Sequence, residues 1–198
     1  MKLYWAPRTR ASRAVWMLEE AGVDYEIERV DLSNDDRQHA PEFLAASPMG
    51  KVPALVDGDV AMADSAAICL YVADRYCSGR LAPAIDDPQR GSFLYWLLYT
   101  PGVIEPAMSE KFHKLEPNKS RNGWGTFDLM IETLAKRLAD REWVMGDSFT
   151  AADVMLGSSA NFMRMFDMLG EQPVLAAYAD RCLARPANQK ARALEPQE

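Results

Sequence analysis

Apolar and polar positions in "KLYW" and "YEIERVDL" follow the short period of half-buried strands, while "SRAVWMLEEAG" between them carries apolar residues at helical spacing and ends on a glycine. The chain therefore opens β-α-β. The polar stretch "SNDDRQHAPEFLAASPMG" has room for one short helix from Pro41 to Ala46. "PALV" and "VAMA" then flank "DGD", whose Asp57-Gly58 step marks a hairpin. A helix from Ser65 to Tyr76 completes the order β-α-β-α-β-β-α. Glycines, prolines and charges in "CSGRLAPAIDDPQRG" end the periodicity and read as a linker. Beyond Pro88 the pattern is helical, with Phe127, Ile131, Leu134 and Leu138 along one face, and no strand signal recurs. Thr150 and Asp153 in "FTAADV" form a capping box in which Asp stands in the usual Glu position.

Composition narrows the function classes. A chain of 198 residues, 48% hydrophobic, can bury one large core or two small ones, and its net charge of −7 argues against nucleic acid or an anionic membrane as partner. No apolar window approaches the roughly 20 residues needed to span a bilayer, and "MKLYWAPRTR" lacks a long apolar signal core, so a cytoplasmic protein is expected. Cys69, Cys77 and Cys182 are odd in number and widely spaced, and His39 and His113 are the sole imidazoles. Neither a disulfide framework nor a metal site is expected.

The stretch "GKVPALVDGDVAMADSAAICLYVADRY" concentrates the candidate chemistry. Pro53 cannot donate to a sheet ladder and suits the first residue of a strand. A cis Val52-Pro53 bond would turn the Val52 backbone outward, where a peptide-like ligand can pair with it. Ser65 at a helix start offers a hydroxyl and unpaired N–H groups to a carboxylate, and Asp64 can hold an ammonium group. Each feature singly is also an ordinary one: a helix N-cap and a chain reversal. Jointly they describe a small peptide carrying a free amino-acid end.

At this point the sequence resembles the glutathione transferase family. "KVPAL" followed by "DSAAI" looks like that family's V/I-P strand start and E/D-S-x-A-I helix start, and "LYWAPRTRASRAVWMLEEAG", "APEFLAASPMG", "FTAADV" and "LAAYADRCLARPA" extend the likeness over nearly the whole chain. The resemblance implies an α/β thioredoxin-like N-terminal domain (1–78) that binds glutathione, a linker (79–87), and an all-α helical C-terminal domain (88–198) shaping a pocket for a small hydrophobic electrophile. It also implies a homodimer. Carried over by residue, Val52 pairs with the cysteinyl part of glutathione behind Pro53, Asp64 and Ser65 take the γ-glutamyl end, and Lys51 reaches the glycyl carboxylate. Gln38 or His39 falls near a position serving the same carboxylate, with the choice open.

The reaction needs a thiolate, and lowering a thiol pKa by roughly two units takes about 2.7 kcal/mol of preferential anion stabilisation. A hydroxyl near a helix N-terminus supplies that. Thr9 is the first candidate, because serine-type members place their activating serine four residues before an arginine matching Arg13. Ser12, which also suits a helix N-cap, and the Arg10 guanidinium are the alternatives. Tyr4 belongs to a tyrosine-type alternative in which strand packing competes. No cysteine occupies the turn, so a protein–glutathione mixed disulfide is not expected. Tyr99, Ile104, Met108 and Phe112 are candidate lining for the electrophile, on a helix that Pro101, Gly102 and Pro106 are expected to bend. A glutathione-dependent peroxidase, disulfide reductase or isomerase, and a non-catalytic interaction module, are the competing functions on the same fold.

Overall fold

Four strands of four residues each form one mixed sheet in the computed structural model, which describes residues 1–33 and 40–196. They are β1 (Lys2–Trp5), β2 (Glu26–Arg29), β3 (Ala54–Asp57) and β4 (Val60–Ala63), in the order β2-β1-β3-β4. β1 and β2 are parallel and so need a crossover, which α1 (Ala11–Ala21) provides. Gly22 ends it with a φ of 70°, its N–H closing on the Leu18 carbonyl. β3 pairs antiparallel with β1 and with β4. β2 is shorter than "YEIERVDL" suggests and all four of its residues are exposed, as an edge strand paired on one side only.

α3 (Ser65–Cys77) packs with α1, and the two contribute Ala14, Val15, Leu18, Ile68 and Val72 to the core. α2 (Pro41–Ala46) builds a separate cluster in which Phe43 and Ala46 meet Tyr4 and Ala54. Tyr4 is thereby a core residue, its ring 5.1 Å from that of Phe43, and the tyrosine-type alternative is set aside.

The remaining helices are α4 (Arg90–Tyr99), α5 (Glu105–Phe112), α6 (Phe127–Leu138), α7 (Ala151–Met165), α8 (Pro173–Ala184) and α9 (Pro186–Ala193). A π-helical segment, Thr100–Ile104, joins α4 to α5, with the Glu105 N–H reaching back to the Thr100 carbonyl. The expected bend is thus a widened turn: Pro101 and Pro106 cannot donate, and the ladder shifts register to accommodate them.

The chain divides into two compact units, Met1–Leu81 with Ala184–Glu198, and Ala82–Leu183. This differs from the expected boundaries in one respect, that residues after 183 group with the sheet. The reason is local. Arg185 makes a two-pronged ion pair with Glu20 of α1 (2.5 and 2.8 Å), Lys190 pairs with Glu19 (3.0 Å), and Asn188 and Ala191 are buried.

Within the second unit the capping box closes at Thr150 and Asp153. The fully buried Asp153 carboxylate accepts from the N–H groups of Val144 (2.8 Å) and Thr150 (2.9 Å) and from the Tyr178 hydroxyl (2.8 Å). Burial pushes its pKa up from 3.8 to about 6, against the pull of those donors. Because the folded protein holds this proton more tightly than the unfolded chain, the Asp153 contribution to stability should fall as pH rises from about 4 to about 6 and stay flat above. Unfolding free energies across that window in wild type and Asp153→Asn check the slope. Asp153→Ala should cost about 3 kcal/mol or more at pH 7, since it strands several buried donors.

Candidate functional site

Three segments meet at one end of the sheet because of strand register. Tyr4 pairs with Ala54, and Ala54 with Ala63, so the turn leaving β1, the Val52-Pro53 step entering β3 and the Asp64-Ser65 step leaving β4 lie side by side. Ligands of sheet proteins gather at such strand ends.

The turn between β1 and α1 is organised by Thr9. Its hydroxyl donates to the Ala6 carbonyl (2.7 Å) and accepts from the N–H of Ala11, the first residue of α1 (3.2 Å). Ser12, which suits an N-cap by position, therefore lies inside the first turn, its hydroxyl donating to the Thr9 carbonyl (3.0 Å). Both side chains are half-buried, whereas Arg8 and Arg10 are exposed. In this arrangement the Thr9 proton is engaged by the Ala6 carbonyl, and giving it to a sulfur anion requires the O–H to swing about its Cβ–Oγ bond with the oxygen left in place.

The second segment hangs on a residue absent from the sequence reading. Ser47, almost wholly buried, donates its hydroxyl to the Lys51 carbonyl (2.7 Å) and accepts from the Lys51 N–H (3.0 Å), while Gly50, at φ 63°, donates to the Ser47 carbonyl (2.8 Å). This holds Lys51, exposed, just ahead of Val52. The Val52-Pro53 bond is cis, which meets the condition stated for turning the Val52 backbone outward. The β3 ladder begins at Ala54, so Val52 precedes the paired residues, and its side chain packs on the Tyr4–Phe43 cluster.

In the third segment Asp64, rather than Ser65, is the N-cap. Its Oδ1 accepts from the N–H groups of Ala66 (2.8 Å) and Ala67 (3.1 Å), which offsets a φ of 80°. Ser65 is the first helical residue and is buried, and the Arg13 guanidinium donates to its hydroxyl (3.3 Å). Arg13 is itself buried and places positive charge beside Ser65. The signal for it was an arginine amid the buried run Ala11, Ala14, Val15 and Trp16 of α1. Gln38 and His39 lie outside the described residues.

In the second unit Tyr99 and Ile104 are buried, Met108 is half-buried and Phe112 is exposed. Tyr99 stacks obliquely on Trp96 (5.1 Å), and burial pushes its hydroxyl pKa up to about 12. Ile104 has no accessible surface and serves the core. Cys69, Cys77 and Cys182 are free thiols, all buried, and burial pushes Cys69 up to about 12. Among the described residues no cluster of His, Cys, Asp or Glu could hold a metal, and no helix is long and apolar enough to cross a membrane. An open groove of about 370 Å³ between α2 and the sheet, lined by Lys2, Tyr4, Glu42 and Val56 among others, shares no residue with the three segments.

Comparison with known proteins agrees with this architecture. Residues 9–75 match the glutathione S-transferase N-terminal domain and residues 99–186 its C-terminal domain. The chain belongs to the glutathione S-transferase family. It is 30% identical to the disulfide-bond oxidoreductase YfcG of Escherichia coli, covering 96% of this chain and 93% of that protein. The glutathione transferase from Methylococcus capsulatus superposes with a TM-score of 0.81 at 29% identity, over 97% of both chains. A sphingomonad glutathione S-transferase solved with glutathione gives 0.79 at 29% identity, over 96% of both.

Ser47→Ala should lower stability by about 1 kcal/mol, because it removes both hydroxyl bonds to the Lys51 backbone. Denaturant unfolding measures this, and an unchanged midpoint would show that water replaces the hydroxyl.

Proposed function

We propose that this protein binds glutathione at the sheet end and activates its thiol for attack on a small hydrophobic electrophile. The observation that carries the reading is the convergence of the Val52 backbone, the Asp64-Ser65 helix start with Arg13, and the Thr9 turn in a chain of this family. Val52 pairs with the cysteinyl backbone. Asp64 holds the γ-glutamyl ammonium, and Ser65 with Arg13 takes the neighbouring carboxylate, a charge-assisted arrangement. Lys51, with Gln38 or His39, serves the glycyl carboxylate. Thr9 activates the thiol, with Ser12 and Arg10 as the alternative donors on the same turn. Of the candidate electrophile contacts, Met108 and Phe112 are favoured because they keep accessible surface. Residues 1–78 form the glutathione-binding domain, 79–87 the linker and 88–198 the helical domain, whose last helix returns to α1, of a cytoplasmic homodimer with a detoxifying role.

The similarity to a disulfide-bond oxidoreductase favours one second reading, glutathione-dependent disulfide reduction. With all three protein thiols buried, glutathione itself would be the attacking thiol. Turnover of an aryl halide, a hydroperoxide and a small disulfide in parallel separates the two readings.

Glutathione at a hundredfold excess over Kd should stabilise the fold by about 2.7 kcal/mol. An analogue lacking the γ-glutamyl amino-acid end should give a much smaller rise in melting temperature, and equal rises would remove Asp64 and Ser65 from the site. Ser65→Ala should weaken binding by about 1–3 kcal/mol. Ultraviolet thiolate absorbance tests the activating group: Thr9→Val should raise the bound thiol pKa and Thr9→Ser should nearly preserve it. A shift confined to Ser12→Ala or Arg10→Leu moves the role to that residue.

A further inference from the structure

The turn that carries Thr9 is held from a place far along the chain. Arg8 has a φ of 57°, a left-handed conformation that a side-chain-bearing residue adopts only when its surroundings impose it. Its backbone N–H donates to Oε2 of Glu195 at 2.6 Å, a short, charge-assisted bond. Glu195 stands two residues past the end of α9, after the C-cap Leu194, with its own N–H on the Arg192 carbonyl (3.1 Å). That helix is fixed to α1 by the Arg185–Glu20 and Lys190–Glu19 pairs. The carboxylate is therefore delivered from a rigid support.

Two bonds then define the turn. Thr9 closes it across its base through the Ala6 carbonyl, and Glu195 fixes its middle peptide through Arg8. We propose that Glu195 is a positioning residue, which locks Arg8 in the left-handed conformation and so sets where the Thr9 hydroxyl stands. The inference rests on the reading of Thr9 as the thiol-activating group. It makes a counterintuitive demand, because a bare negative charge near the turn would raise a thiol pKa, whereas a positioning carboxylate lowers it by keeping the donor in place.

The direction of the shift therefore decides. In Glu195→Ala the bound glutathione thiol pKa should rise, and kcat/KM at neutral pH should fall about tenfold with the KM for glutathione nearly unchanged. Amide exchange at Arg8 and Thr9 should quicken about tenfold. Glu195→Gln keeps an acceptor oxygen and should restore most of the protection and most of the thiol pKa. A fall in thiol pKa in both variants would overturn positioning in favour of simple charge repulsion, and unchanged exchange at Arg8 and Thr9 in Glu195→Ala would overturn the latch itself. Glu195 is only half-buried, so both variants should fold, and their melting temperatures verify it. Failure of the wild-type protein to bind glutathione would overturn the proposed function alone, because the exchange at Arg8 and Thr9 reads the latch without ligand.

Discussion

The pairing of β1 with β3 is the constraint on which the rest of the site depends. Lys2 faces Val56, Leu3 faces Leu55 and Tyr4 faces Ala54. A slip of β1 by one residue would turn Leu3 off the face it shares with Leu55 and Tyr4 away from Phe43. The same slip would move the end of β1 past the start of β3, separating the Thr9 turn from Val52. Core packing and site geometry are thus secured by one register, fixed by apolar residues that lie outside the three segments. The hairpin at Asp57-Gly58 extends that register to β4, which sets down Asp64 beside the other two segments.

The hydroxyls at this end of the sheet share a common occupation. Thr9, Ser12 and Ser47 each bond to main chain in the loops that carry the candidate ligand groups, and Ser65 is met by a buried guanidinium. Such loops have little regular structure to satisfy their backbone groups, and a short polar side chain supplies what a helix or strand otherwise would. Rigidity follows from this. A site whose loops are already closed on their own side chains loses less conformational entropy when a flexible peptide arrives.

How much of this was legible follows from distance along the chain. The strands, the hairpin and the Thr150–Asp153 box are local patterns, and each is present, with β2 shorter than its pattern suggested. Val52-Pro53 and Asp64-Ser65 were legible as a joint motif, yet the division of labour between Asp64 and Ser65 was not, because either can cap a helix and only the backbone angles decide. Arg13 was legible only as a landmark of the family resemblance, and its burial was hidden by its type, because an arginine on a helix reads as solvent-facing. Ser47 looked like one more loop serine. The contact of Arg8 with Glu195 spans 187 positions, and no periodicity or spacing rule reaches that far. The expected helical domain, 88–198, held no hint of the return of α9 for the same reason, since its anchors, Glu19 and Glu20, belong to α1.

That return also orders the birth of the molecule. The sheet-bearing unit is discontinuous, Met1–Leu81 completed by Ala184–Glu198, while Ala82–Leu183 is one uninterrupted run. During synthesis, which proceeds at roughly 5–20 residues per second, the helical unit is entire before α9 leaves the ribosome. The unit begun first is finished last. Until then Glu20 on the nascent α1 waits without Arg185, and the opening turn of the chain waits for its carboxylate.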